Sequence, residues 1–420
     1  MLTILLLFSG AILLHSLAKR EGLLQYPALA SIVCLAWIIP QLIGMRNSQF
    51  GFNTPELFIL ELFCVVCLGA LVVGWYAGIS FGKRSVFSTV SNRKLVQLAV
   101  ALTLFALTMS LFLRGVDTSD GSSDVNWSGP ITIIYFFSNL KALSLFLVIY
   151  LYLSGERRKL CTILIALHVV MYLPALTIYF RRRAVLEVFT IISMAYWYAR
   201  GLVLSRTLVL IGIPFGMLFV FGVGALRGLG WNNLADVNFA QIAAIDFWSY
   251  TPFENNAQFP EMANAYYIVK YVSDGGSFTL GADSWNRFIF QWIPGQLVGR
   301  DLKEALMFDT GFFNQALNNA GADHRLGATN SAFGDAYMEG GFLGCVFFFI
   351  TAFVVGTWWE KARRGDVRAQ IYYASGIASA TLMLTAYPAF FFNFAFLFLL
   401  AVMVGLKMPV VVLRKMARQP

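Results

Sequence analysis

Residues 57–76 read LFILELFCVVCLGALVVGWY, twenty positions with one charged side chain, Glu61. At about 1.5 Å of rise per residue, some twenty apolar residues cross the ~30 Å hydrocarbon layer of a bilayer. A helix does so with every backbone hydrogen bond kept inside the segment. The pattern recurs along the chain. Comparable apolar runs fall at 2–18, 28–45, 95–112, 131–153, 160–180, 184–200, 207–223, 335–358, 371–387 and 389–407. Hydrophobic residues make up 58% of 420, and charged residues only 13%. A soluble chain carries about twice that charge. The expectation is therefore an all-α polytopic membrane protein with about eleven transmembrane helices. It divides into helices 1–8 at 1–223, a large loop domain at 224–334, and helices 9–11 with a tail at 335–420.

Met1–Leu17 is apolar but lacks a basic leader and a cleavage site, so it reads as the first spanning helix. Cys34, Cys64, Cys67, Cys161 and Cys345 all lie in apolar segments, which suggests no disulfide framework and no metal cluster. His168 and Pro174 read as packing and kink residues of the sixth helix.

The basic connectors set an orientation. Lys19 and Arg20, Lys83 through Lys94, Arg157 through Lys159, Arg200 with Arg206, and Lys361 through Arg368 all fall on one side if the C-terminus lies inside. The other side receives 46–56, 113–130, 181–183 and 224–334. The last of these holds ten acidic and six basic residues, so the remainder of the chain carries a surplus of 13 positive charges within the net +9. A net +9 then concerns topology and lipid contact rather than nucleic acid.

Arg181-Arg182-Arg183 breaks this alternation by lying outside. Snorkelling to phospholipid headgroups is one reading. The functional reading is an anion site, because guanidinium forks match phosphate oxygens and keep their charge. Glu187, four residues on, shares a helix face with Arg183 and is expected to orient it, with Arg182 turned partly toward headgroups. Glu61 and Lys141 within helices call for partners or a cavity, and structural pairing answers that as well as catalysis does.

The loop 224–334 is too long for a connector. Trp248, Tyr250 and Phe253 flank Glu254 in DFWSYTPFENN at 246–256, a mixture suited to sugar faces and hydroxyls. Trp285 and Arg325 are further candidate glycan contacts. SWNRFIFQWIP at 284–294 predicts a helix that stops at Pro294, with Arg287 and Arg300 adding positive potential over the arginine trio. Glu254 and His324 are the candidate bases. Residues 328–331, ATNS, are a plausible cap for the next helix.

FRRRAVLEVF at 180–189, SWNRFIFQWIPGQL at 284–297 and TNSAFGDAYMEGGFLG at 329–344, with one long outside loop before the last three helices, resemble the bacterial oligosaccharide repeat-unit polymerases of the Wzy, O-antigen type. PFENNAQ at 252–258 is similar to a loop segment of the enterobacterial common antigen polymerase. The resemblance implies a GT-C-like fold in the bacterial inner membrane, with the long loop periplasmic and the C-terminus cytoplasmic. It implies a metal-independent glycosyltransferase without cofactor that joins undecaprenyl-diphosphate-linked oligosaccharides in O-antigen and lipopolysaccharide synthesis. A chain-length regulator and a flippase of the same pathway are the implied partners. Arg182, Arg183, Arg287 and Arg300 become the expected diphosphate contacts. The chain differs from the sister O-antigen ligases in lacking an evident histidine beside the last outer helices. A ligase or a lipid-linked glycan transporter is the alternative.

Overall fold

The computed structural model describes residues 1–48, 52, 55–84, 90–114, 130–177, 181–202, 239–246, 260–293, 299–308 and 330–406, with single positions at 205, 207, 212, 222 and 226. The described residues form helices and connecting turns only. Helix α1 spans Leu2–Leu17. Helix α2 spans Tyr26–Asn47. Helix α3 spans Pro55–Gly82, and α4 Asn92–Arg114. The fifth apolar run divides into α5, Pro130–Ser138, and α6, Leu140–Leu153. Helix α7 is Arg158–Thr177 and α8 Arg182–Arg200. The insertion contributes α9, Pro260–Ser273, α10, Ala282–Trp292, and the short α11, Arg300–Ala305. Helix α12, Ser331–Gly340, continues through a 3-10 turn into α13, Cys345–Arg363. Helices α14, Val367–Met383, and α15, Ala389–Leu406, close the bundle.

Seven helices among the described residues are long and apolar enough to cross a membrane, fewer than the eleven expected. The shortfall has identifiable causes. Helix α1 has 16 residues and α14 has 17. Helix α8 carries Arg182, Arg183, Glu187 and Arg200 within its 19 residues. The run at 207–223 lies mostly outside the described residues.

The centre of the bundle is the contact of α3 with α13. Gly74, Gly78 and Gly82 form a stripe at four-residue spacing along α3. A Cβ at Gly74 would lie 2.3 Å from the Phe349 carbonyl oxygen, and one at Gly78 2.2 Å from that of Phe353. From the other side, a Cβ at Gly356 would lie 2.6 Å from the Trp75 carbonyl oxygen. The Thr357 hydroxyl donates to the Gly78 carbonyl at 3.2 Å. In lipid the hydrophobic effect does not press helices together, so such close backbone approach supplies the attraction through dispersion.

The bundle has two chemically distinct ends. At one end Arg364 donates to the Lys83 carbonyl at 3.0 Å, Arg363 faces Glu21 at 3.9 Å, and Asn92 donates to Glu156 at 2.7 Å. This basic end gathers the connectors rich in Lys and Arg. At the other end the fully buried Glu61 accepts from Arg46 at 2.7 and 2.6 Å and from the Leu2 amide at 3.1 Å. Glu61 thus takes up an orphan donor of the first turn of α1 and neutralises Arg46. The insertion helices pack at this second, insertion end.

Gly78→Ala is expected to lower the melting temperature of the solubilised protein, by an amount equivalent to about 1–3 kcal/mol of overpacking. Gly69→Ala lies on the same helix, and its added Cβ meets nothing within 4 Å. Alanine is the better helix former, so that variant is expected to be unchanged or slightly stabilised. Equal losses in the two would contradict the assigned seam.

Candidate functional site

Arg181, Arg182 and Arg183 mark the start of α8 at the insertion end. Arg181 is the N-cap and is exposed. The next two diverge, as neighbours about 100° apart on a helix must. Each meets an irregularity in another helix.

Arg183 meets α5 and α6 where the chain breaks at Asn139. The Asn139 amide nitrogen donates to the carbonyls of Tyr135 at 2.7 Å and Phe136 at 3.0 Å. A side chain that competes in this way for backbone partners disfavours a continuous helix. Its oxygen then accepts from Arg183 at 2.6 Å. The guanidinium stands over Phe394 at 4.4 Å and Phe390 at 4.9 Å, and its Nε lies 3.5 Å from Glu187. The expected orienting role of Glu187 thus has its geometry. Glu187 is buried and also accepts a short hydrogen bond from Tyr172. The Lys141 ammonium stands 4.9 Å over the Tyr172 ring. Lys141 and Glu187 therefore belong to one buried network.

Arg182 meets α2 at a π turn, Cys34–Ile38. Pro40 lies two residues beyond it. Proline lacks the amide donor and crowds the carbonyl one turn earlier, and a widened turn relieves that conflict. Trp37 stands on this turn, and Arg182 lies 4.3 Å over its ring. The sequence expectation turned Arg182 toward headgroups. It faces inward instead, because the tryptophan offers an aromatic face where a regular apolar helix was expected.

One turn after Trp37, Gln41 is fully buried. It donates to Glu261 at 3.1 Å and accepts from the Met262 amide at 3.3 Å. Both belong to the first turn of α9, which Pro260 opens. Burial pushes the Glu261 carboxyl above the usual carboxylate range, and Arg182 and Gln41 pull it part of the way back. Glu261, Gln41, Trp37, Asn139 and Tyr172 were missed in the sequence. The one available signal was Pro-Glu at a helix start.

Arg287 sits on α10 between two carboxylates, Asp283 at 2.6 Å and Asp335 at 3.1 Å, and over the Tyr387 ring at 4.4 Å. Burial works against its charge, yet the two aspartates outweigh it and raise the guanidinium pKa. Tyr387, Phe390 and Phe394 form a continuous strip, with ring centroids 5.6 and 4.8 Å apart. That strip joins the seats of Arg287 and Arg183. Trp292 ends α10, two residues before Pro294 as expected, and donates to Asn393 at 3.2 Å.

Trp285 is exposed, with its indole nitrogen donating to the Leu306 carbonyl at 2.8 Å. Asn330 takes the cap position of α12, but its amide donates to Asp335 at 2.8 Å, and Ser331 accepts from the Gly334 amide at 3.2 Å. Arg300 opens α11, described in its backbone. Trp248, Tyr250, Phe253, Glu254, His324 and Arg325 lie outside the described residues. Among the described residues no three His, Cys, Asp or Glu side chains stand close enough to share a metal ion.

No protein-family model matches the chain, and no curated protein and no solved structure matches it.

Glu339 fastens the insertion to α12. Its carboxylate accepts from the Thr279 hydroxyl at 2.8 Å, the Gly281 amide at 2.5 Å and the Ser284 amide at 2.7 Å. The two amides are donors that the start of α10 leaves unsatisfied. Glu339→Ala is expected to speed amide hydrogen exchange across 282–292 while α3 and α13 stay protected. Unchanged exchange there would show that the carboxylate does not hold α10.

Proposed function

We propose that this chain is a membrane glycosyltransferase that joins oligosaccharide repeat units carried on a polyprenyl diphosphate. The observation that carries the reading is the pair Arg182 and Arg183. Two consecutive arginines at the insertion end each seat a guanidinium on aromatic rings of a different helix, in a protein whose other basic clusters gather at the opposite end. The resemblance of the segments at 180–189, 284–297 and 329–344 to repeat-unit polymerases points the same way.

The chemistry explains the need for arginine. An acceptor hydroxyl attacks the anomeric carbon, and the carbon–oxygen bond to phosphate breaks with its electron pair going to the diphosphate. Negative charge grows on that leaving group. Guanidinium donors already fixed by Asn139, Glu187 and Trp37 stabilise it without reorganising. Arg287 is committed to Asp283 and Asp335, so its role in this reading is to hold α10 against α12 and the Tyr387 ring. The insertion then faces the periplasm, the basic end faces the cytoplasm, and a chain-length regulator and a flippase supply the pathway context.

Purified protein in nanodiscs, given lipid-linked repeat units from the host strain, is expected to yield a ladder of lengths. Arg183→Lys keeps the charge but loses the forked contact. Its rate is expected to fall by about 10²–10³, the cost of a lost oxyanion donor of roughly 2–4 kcal/mol. Product formed only when a lipid A acceptor is added would favour a ligase. Unchanged glycan length with lipid moved across the bilayer would favour a transporter.

A further inference from the structure

We propose that Glu261 is the general base that takes the proton of the attacking hydroxyl. This inference rests on the glycosyl-transfer reading above. Three observations support it. Glu261 enters the site at the first turn of α9, in electrostatic contact with Arg182, the residue assigned to the diphosphate. Its carboxylate is oriented by Gln41, which donates to Oε2 at 3.1 Å. The carboxylate is also held, because Gln41 grips both the Glu261 side chain and the Met262 amide, and α9 behind it is buried through Met262, Ala263, Ala265 and Ile268.

These features match what the step requires. A base must sit beside the leaving group without binding it. Glu261 carries negative charge, so it repels phosphate and leaves the diphosphate to Arg182 and Arg183. As the acceptor oxygen forms its bond to the anomeric carbon, its proton passes to the Glu261 carboxylate. The electrons of the broken bond stay on the diphosphate, which needs no proton to leave. Burial raises the Glu261 carboxyl and so makes it a stronger base than an ordinary surface glutamate, with the Arg182 guanidinium pulling in the opposite direction. Glu254, the base expected from sequence, lies seven residues earlier and outside the described residues.

The test uses the full chain in nanodiscs, with lipid-linked repeat units as substrate and undecaprenyl diphosphate as binding probe. Glu261→Gln is expected to slow polymer formation by roughly 10²–10⁴-fold, the usual worth of a general base. Its affinity for undecaprenyl diphosphate is expected to match or exceed that of the wild type. Glu261→Asp withdraws the carboxylate by one methylene, keeps the charge beside Arg182, and is expected to fall between the two in rate. It also provides the reading if the glutamine variant does not fold. A Glu261→Gln rate within about tenfold of wild type, or an Asp variant at full rate, would overturn the assignment. So would a rate loss that tracks lost affinity. A wild-type protein that makes no polymer would instead overturn the functional reading.

Discussion

Backbone contact between α3 and α13 is the constraint on which the rest depends. Each glycine of the 74, 78, 82 stripe removes a side chain where the facing helix brings a carbonyl. Helices in lipid gain little from apolar contact alone, so the depth of this approach matters more than its greasiness. Once the seam is set, both ends follow. At the basic end it brings Arg364 to the Lys83 carbonyl. At the other end α3 carries Glu61, near its start, which seats α1 and Arg46. The same seam aligns α12, which runs into α13 and carries Asp335 and Glu339. Those two carboxylates in turn hold the insertion helix α10.

The site arises where helices depart from regularity. A continuous α-helix satisfies its own backbone and offers lipid or neighbours only side chains. Helix α2 widens into a π turn before Pro40 and presents Trp37 to Arg182. The fifth apolar run breaks at Asn139 and presents an amide oxygen to Arg183. Charges this deep are costly unless paired. Here Arg183 has Glu187, Arg287 has two aspartates, and Arg46 has Glu61. The aromatic seats add attraction without neutralising the arginines. The guanidinium donors are thereby held in place where a diphosphate is proposed to bind.

Local rules made part of this legible. Apolar run length gave the membrane class and most helix positions. Four-residue spacing gave the Arg183–Glu187 pair, and Pro294 gave the end of α10. The direction of Arg182 was not legible, because it depends on a π turn in a helix about 145 residues earlier. The break at Asn139 was hidden inside an apolar run, where a lone asparagine reads as a tolerated polar residue. Glu261 and Gln41 are 220 positions apart, and their contact depends on how α9 enters the bundle. Glu339 looked like part of a Gly-rich helix entry, and its role as an acceptor for another helix's amides depends on tertiary packing.

The central claim is that Arg182 and Arg183 together recognise a diphosphate on a lipid. The direct measurement compares binding of undecaprenyl diphosphate and undecaprenyl monophosphate to the protein in nanodiscs by native mass spectrometry. The account predicts tighter binding of the diphosphate, and loss of that preference when both arginines become lysine. Equal affinity for the two lipids, or a preference that survives the double substitution, would contradict it.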